Sequence, residues 1–135
     1  MPYSHRLKVR YVETDQMGVV HHSSHLSYLE EARTEYMASL GMPYGAMEAA
    51  GVALPVRRVE VRYRAPALYE DELEVQVAIS GLRAASIRFQ YTVLRPKDGI
   101  TLLDGLVELA CMDIQTRAPM ILPEKLRAGL ESELS

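Results

Sequence analysis

The chain has 135 residues, of which 48% are apolar and 24% charged, with a formal net charge of −3. This is the size and balance of one globular domain, expected to span residues 1–135, with enough apolar content for a single core. No apolar run approaches the ~20 residues of a membrane span, and a net-negative chain without a Lys or Arg run lacks the basic face of a duplex nucleic-acid binder.

Met1 to Arg6 carry no apolar core after their charge, so no signal peptide is expected. Cys111 is the only cysteine, which excludes an intrachain disulfide and fits a reducing compartment. The expected location is cytoplasmic, with neither membrane nor nucleic acid as partner.

Lys8 to Val12 reads as the first strand, with Leu7, Val9 and Tyr11 on one face. Gly18 then permits a sharp turn. From about Ser23, Leu26, Leu29, Arg33, Tyr36, Met37 and Leu40 recur at helical spacing, with Ala32 beside them. Ser23 or Ser24 can cap the start, and Gly41-Met42-Pro43 marks the stop. The pattern predicts an amphipathic helix of about five turns whose apolar stripe needs a sheet to cover. A short second helix, Tyr44 to Ala50, ends at Gly51.

Beyond Gly51 the period changes to that of strands. Val52, Leu54 and Val56 alternate, Arg57-Arg58 interrupts, and Val59, Val61 and Tyr63 resume in the opposite parity, the phase slip of a β-bulge. Leu73, Val75, Val77 and Ile79 give the next strand, and Gly81-Leu82-Arg83-Ala84 turns it into Ile87, Phe89, Tyr91 and Val93. Pro96-Lys97-Asp98-Gly99 turns again into a last strand through Leu103, Val107, Leu109 and Cys111. Pro119 and Pro123 close the sheet, and Glu124 to Leu130 can form a terminal helix. Consecutive strands on short connections predict antiparallel neighbours, hence an α+β fold of one long helix on a curved five-stranded sheet.

The chemistry concentrates in Tyr11-Val12-Glu13-Thr14-Asp15-Gln16-Met17-Gly18-Val19-Val20-His21-His22. A carboxylate precedes a glycine-hinged loop, and the free amides of a helix start follow it. A carbonyl substrate needs both a group to attack it and donors for the charge on its oxygen. Asp15 also has a plainer reading, a turn carboxylate bonded to nearby amides. His22 offers either an imidazole whose ordinary pKa of ~6.5 suits acid–base work, or a backbone N–H left free at a helix start. Tyr11 either lines the pocket or packs as a strand aromatic.

The spacing Tyr-x3-Asp-x2-Gly-x3-His, read at Tyr11, Asp15, Gly18 and His22, resembles the hot-dog-fold acyl-CoA thioesterases of the 4-hydroxybenzoyl-CoA thioesterase type. The Ser23 to Tyr36 helix and Tyr63-Arg64-Ala65-Pro66-Ala67-Leu68-Tyr69-Glu70-Asp71 fit it too, and the resemblance runs from about Arg6 to Pro123. It implies hydrolysis of an acyl-CoA thioester to a carboxylic acid and CoA. Asp15 would be base or nucleophile, and the His22 amide would polarise the thioester carbonyl, with Gly18, Val19 and Val20 lining the substrate site. It further implies a homo-oligomer, a tetramer built as a dimer of dimers, with sites near the subunit interface. No cofactor is expected, CoA being part of the substrate.

Arg57 and Arg58 are candidates for the phosphates of CoA, although arginines on a sheet surface are common. His21, His22 and His25 cluster, with Glu30, Glu13 or His5 as conceivable recruits, but no metal is expected, because polar residues around a helix end account for them more simply. No GxGxxG, GxxxxGK[ST] or GxSxG occurs. Two other functions share this fold: hydration or dehydration of an acyl thioester, and acyl-CoA binding without catalysis. The Tyr11-Asp15-Gly18-His22 pattern favours hydrolysis over the first, and the presence of Asp15 counts against the second.

Overall fold

The computed structural model describes residues 2–134; residues 1 and 135, the ends of the expected domain, lie outside the described residues. The first strand, β1, is Tyr3–Lys8, not Lys8 to Val12. Tyr3, His5 and Leu7 alternate inward and stand opposite Val77, Val75 and Leu73. Tyr11–Glu13 is instead a 3-10 turn. The Glu13 carboxylate accepts the Arg10 amide at 2.8 Å and the Arg10 guanidinium at 3.2 Å, and this pair of bonds winds the chain where the alternation alone suggests a strand.

The long helix, α1, is His22–Ser39. It begins one residue before the expected Ser23; its cap residue is His21, with extended backbone, and neither Ser23 nor Ser24 caps it. The buried stripe is His25, Tyr28, Leu29, Ala32, Arg33, Tyr36 and Met37, with Leu26 on the open side. Arg33 is held in the interior by two phenols, donating to Tyr44 Oη at 3.0 Å and Tyr91 Oη at 3.1 Å. The helix ends as expected: Gly41 takes φ +78°, Met42 donates to the Met37 carbonyl and Gly41 to that of Ala38. A second helix, α2 (Tyr44–Ala49), follows.

Val52 and Val56 do not share one strand. Val52–Ala53 (β2) pairs with Met112–Asp113 (β7), Pro55 interrupts, and β3 is Val56–Tyr63. The expected bulge is present, with Arg57 the extra residue between Val56 and Arg58. Strand β4 (Glu72–Arg83) passes straight through Gly81, because a second bulge at Ser80 lets Gly81, Leu82 and Arg83 go on pairing with Arg88, Ile87 and Ser86 of β5 (Ser86–Arg95). Strand β6 is Ile100–Ala110, and the terminal helix α3 is Glu124–Glu131.

The five-stranded sheet has the order β1-β4-β5-β6-β3, every pair antiparallel. Neighbours in sequence are neighbours in space for β4, β5 and β6, but not for β3 and β4. Residues 64–71 instead carry the chain from one edge of the sheet towards the other, where β1 receives β4. The inner rows of β4 and β5, from Leu73 to Ile79 and Ile87 to Val93, are fully buried, and α1 lies along the sheet through β4 and β1. This is the hot-dog arrangement. Edge strand β3 differs from the rest, with Val56, Val59 and Tyr63 all exposed.

Candidate active site

Residues 14–20 form a closed loop. Thr14 and Val20 bridge its neck, the Asp15 amide donates to the Val19 carbonyl at 2.8 Å, and the Gly18 amide to the Asp15 carbonyl at 3.0 Å. Gly18 has φ +75°, in the left-handed region that side chains rarely adopt, which is why glycine stands there. The loop is fastened to the connector between β3 and β4: Val19 bridges to Leu68, the Val20 amide donates to the Ala67 carbonyl and the Tyr69 amide to that of Gly18. Gly18, Val19 and Val20 thus shape the site with their backbone, and the Val20 side chain is buried.

At the tip, Asp15 Oδ1 accepts the amides of Met17 at 2.8 Å and Val19 at 3.2 Å. The turn role of the carboxylate is therefore real, and one oxygen performs it. Oδ2 has no partner among the described residues, and Asp15 is one of the residues lining an open depression of about 530 Å³, with Tyr11, Val12, Thr14, Gln16 and His21. Tyr11 is not on a strand; its ring stands 74% exposed, edge-on to Tyr69 at 5.6 Å.

The amides across the loop can be followed one by one. Those of Gly18, Val19 and Val20 are bonded as above, His21 donates to the Glu13 carbonyl at 3.0 Å, and Ser24 to that of His21 at 3.1 Å. Between Gly18 and Ser24, the amides of His22 and Ser23 alone have no acceptor among the described residues. They open α1, where the helix dipole adds to their attraction for negative charge. The His22 imidazole packs edge-on against Tyr63 at 4.6 Å, and neither residue is among those lining the Asp15 depression.

Three residues take roles here that no local sequence pattern assigns to them. Glu13, considered from the sequence only as a recruit to a metal, accepts the Tyr28 hydroxyl at 2.8 Å and so ties the turn before Asp15 to α1. Burial works to raise its carboxyl, but the Arg10 amide, the Tyr28 hydroxyl and the Arg10 guanidinium outweigh this and hold it below the usual range. Tyr63, last residue of β3, donates to the His22 carbonyl at 2.9 Å. His25 is buried between the rings of Tyr28 and Tyr63, its Nδ1 without a partner; burial, and then the nearby His22, push its pKa down to about 4. His21 therefore lines the open depression, whereas His22 and His25 share the Tyr63 ring, His25 on its buried side.

Arg57 and Arg58 lie apart from this loop. Arg57 pairs with Glu108 at 3.0 Å and Arg58 with Glu60 at 2.7 Å. They sit at the other end of β3 from Tyr63, a separation of roughly 17–20 Å at the rise of an extended strand.

Comparison with known proteins gives one consistent result. The model of the thioesterase-like superfamily matches residues 9–130. The acyl-CoA thioester hydrolase YbgC of Escherichia coli O6:H1 is 34% identical over 122 residues, covering 90% of this chain and 90% of that protein. The acyl-CoA thioesterase YbgC of Haemophilus influenzae is 30% identical over 94% of this chain and 93% of its own length. Among solved structures, the hypothetical protein TT1821 of Thermus thermophilus superposes with a TM-score of 0.91 at 37% identity, covering 97% of this chain and 98% of that one.

Proposed function

The chain belongs to the thioesterase-like superfamily and is an acyl-CoA thioester hydrolase, and from that premise we propose that Asp15 and the first amides of α1 perform the reaction. The observation that carries this reading is the pairing of one unengaged carboxylate oxygen with two acceptor-less amides across a single short loop. Asp15 Oδ2 takes the proton of an attacking water, or itself attacks the carbonyl carbon. The His22 amide receives the charge that develops on the carbonyl oxygen. Collapse of the tetrahedral intermediate expels the CoA thiolate; with water as the attacking group this leaves the carboxylic acid directly, and with Asp15 as the attacking group it leaves an acyl–Asp15 anhydride that a water then cleaves to the acid and the free carboxylate. Tyr11 and the loop backbone from Gly18 to Val20 line the acyl thioester.

The site works within a homo-oligomer, a tetramer assembled from dimers whose sheets join along β3. Support comes from the exposed apolar side chains of that edge and from the openness of the Asp15 depression, which one chain leaves to water. A two-fold axis across β3 makes the strand antiparallel to its copy. The Arg57-Arg58 end of one strand then lies towards the Tyr63 end of the other, which suits those guanidinium groups to the phosphates of CoA bound at the partner's site.

The test is thiol release from a panel of aliphatic and aromatic acyl-CoAs, run beside the absorbance of an enoyl-CoA. Thiol release with steady enoyl absorbance is expected. Loss of enoyl absorbance without thiol release would make the protein a hydratase, and binding without either would make it a non-catalytic acyl-CoA binder.

A further inference from the structure

The geometry points to Tyr63 as a positioning residue that sets the amide donors of the α1 start from the end of the edge strand; this inference rests on the function proposed above. The Tyr63 hydroxyl donates to the His22 carbonyl at 2.9 Å. That carbonyl and the Ser23 N–H belong to one peptide unit, so the bond fixes the plane of the peptide that opens the helix. A donor on the carbonyl oxygen also draws charge through the amide and makes its N–H the stronger donor. The affected N–H groups, those of Ser23 directly and of His22 through the shared residue, are the two without acceptors.

The ring holds the hydroxyl in place. It meets the His22 imidazole at 4.6 Å and 67° and the His25 imidazole at 5.5 Å and 66°, two edge-on contacts on the first turn of α1. Partial desolvation at the edge of the sheet raises the phenol's pKa above its ordinary value, which favours the protonated, donating form. Tyr63 pairs with Leu103 as the last residue of β3, and residues 64–71 lead from it through the stretch that fastens the Asp15 loop. The edge strand and the helix start are thereby joined at one side chain, and the backbone that follows Tyr63 goes on to fasten the acid loop.

Tyr63→Phe keeps the ring and removes the bond. With benzoyl-CoA and hexanoyl-CoA as substrates, kcat should fall about five- to tenfold, the worth of one ordinary hydrogen bond, while KM stays within about twofold and the melting temperature is little changed. In a TROSY spectrum of the labelled protein, the Ser23 amide should move while those of β4 and β5 stay in place. An unmoved Ser23 amide, a kcat within twofold of the parent, or a raised KM at full kcat would each overturn the proposal. Should the parent hydrolyse no acyl-CoA, the proposed function fails, and the Ser23 amide still decides whether Tyr63 sets the helix start.

Discussion

Asp15 and Val19 are joined twice: the Asp15 amide donates to the Val19 carbonyl at 2.8 Å, and the Val19 amide returns to Asp15 Oδ1 at 3.2 Å. The carboxylate is held by the loop it holds together, and its second oxygen is left over. Asp15→Asn can keep the Oδ1 acceptor and so the loop, but it loses the base and nucleophile. Turnover should drop ~10²-fold or more, with the fold and acyl-CoA binding retained. Activity within a few-fold of the parent would reduce Asp15 to its turn role.

The His22 amide and imidazole can be separated. His22→Ala keeps the N–H and should retain a substantial part of the activity, whereas His22→Pro removes the donor and should cost roughly a hundredfold or more. Proline suits the first helical position. His21 before it already has φ −61° and ψ 147°, the extended conformation that a following proline demands, so the helix should survive. Two equally inactive, well-folded variants by circular dichroism would make the imidazole the working group.

His25 gives the stability a pH dependence in a definite window. Its folded pKa, about 4, lies below the ordinary ~6.5, so the unfolded chain binds the extra proton first. The neutral buried ring contributes its full stability above pH ~6.5 and loses it as pH falls towards 4, on the order of 2–3 kcal/mol across the window. Urea midpoints should therefore decline between pH 6.5 and 4 in the parent and decline less in His25→Phe. Parallel curves for the two proteins would refute the assignment.

Gly105 allows β3 to approach β6. A Cβ there would lie 2.2 Å from the Glu60 carbonyl oxygen and 2.8 Å from Val61 Cα, both backbone atoms. Gly105→Ala should cost about 2 kcal/mol or more and should loosen the strand that carries Tyr63. Gly45→Ala, in α2 with open space around the new methyl group, should be neutral or stabilising by ~0.5–1 kcal/mol. Denaturant midpoints of equal size for both variants would contradict this reading.

Association through β3 predicts a dimeric or tetrameric mass by light scattering at micromolar concentration. Val59→Lys, a charge on the exposed edge, should shift the protein towards monomer and lower its activity together with its mass. A monomeric parent ends the oligomer proposal, and an undisturbed oligomer in the variant moves the interface elsewhere.

The readable parts of the chain were those where one face is wholly apolar. Leu73 to Ile79 and Ile87 to Val93 alternate without exception and are buried as the pattern requires. Strand β1 was hidden because its inward row, Tyr3, His5 and Leu7, contains a histidine, whereas α1 was legible from its spacing, Arg33 included, and only the buried place of His25 and the tyrosine partners of Arg33 were not. A glycine within a strand can mark a turn or a bulge, and at Gly81 the continued pairing with Arg88 decides for the bulge at Ser80. Asp15 and the helix-start amides were readable because they are close in sequence. Tyr63 meets His22 across 41 residues, a contact no local pattern encodes.

Tyr11 and Val12 line the Asp15 depression without supporting the loop, for they are 74% and 76% exposed while backbone bonds hold the chain beneath them. Substitutions at such positions usually change stability by less than ~0.5 kcal/mol. On the proposed function, Tyr11 and Val12, which line the Asp15 depression, are the positions where exchanging aromatic and branched side chains would alter acyl preference while the acid, its glycine and the helix stay untouched. A saturation library at these sites would sample new substrates on a scaffold that stays intact, so that mutational tolerance and proximity to chemistry coincide.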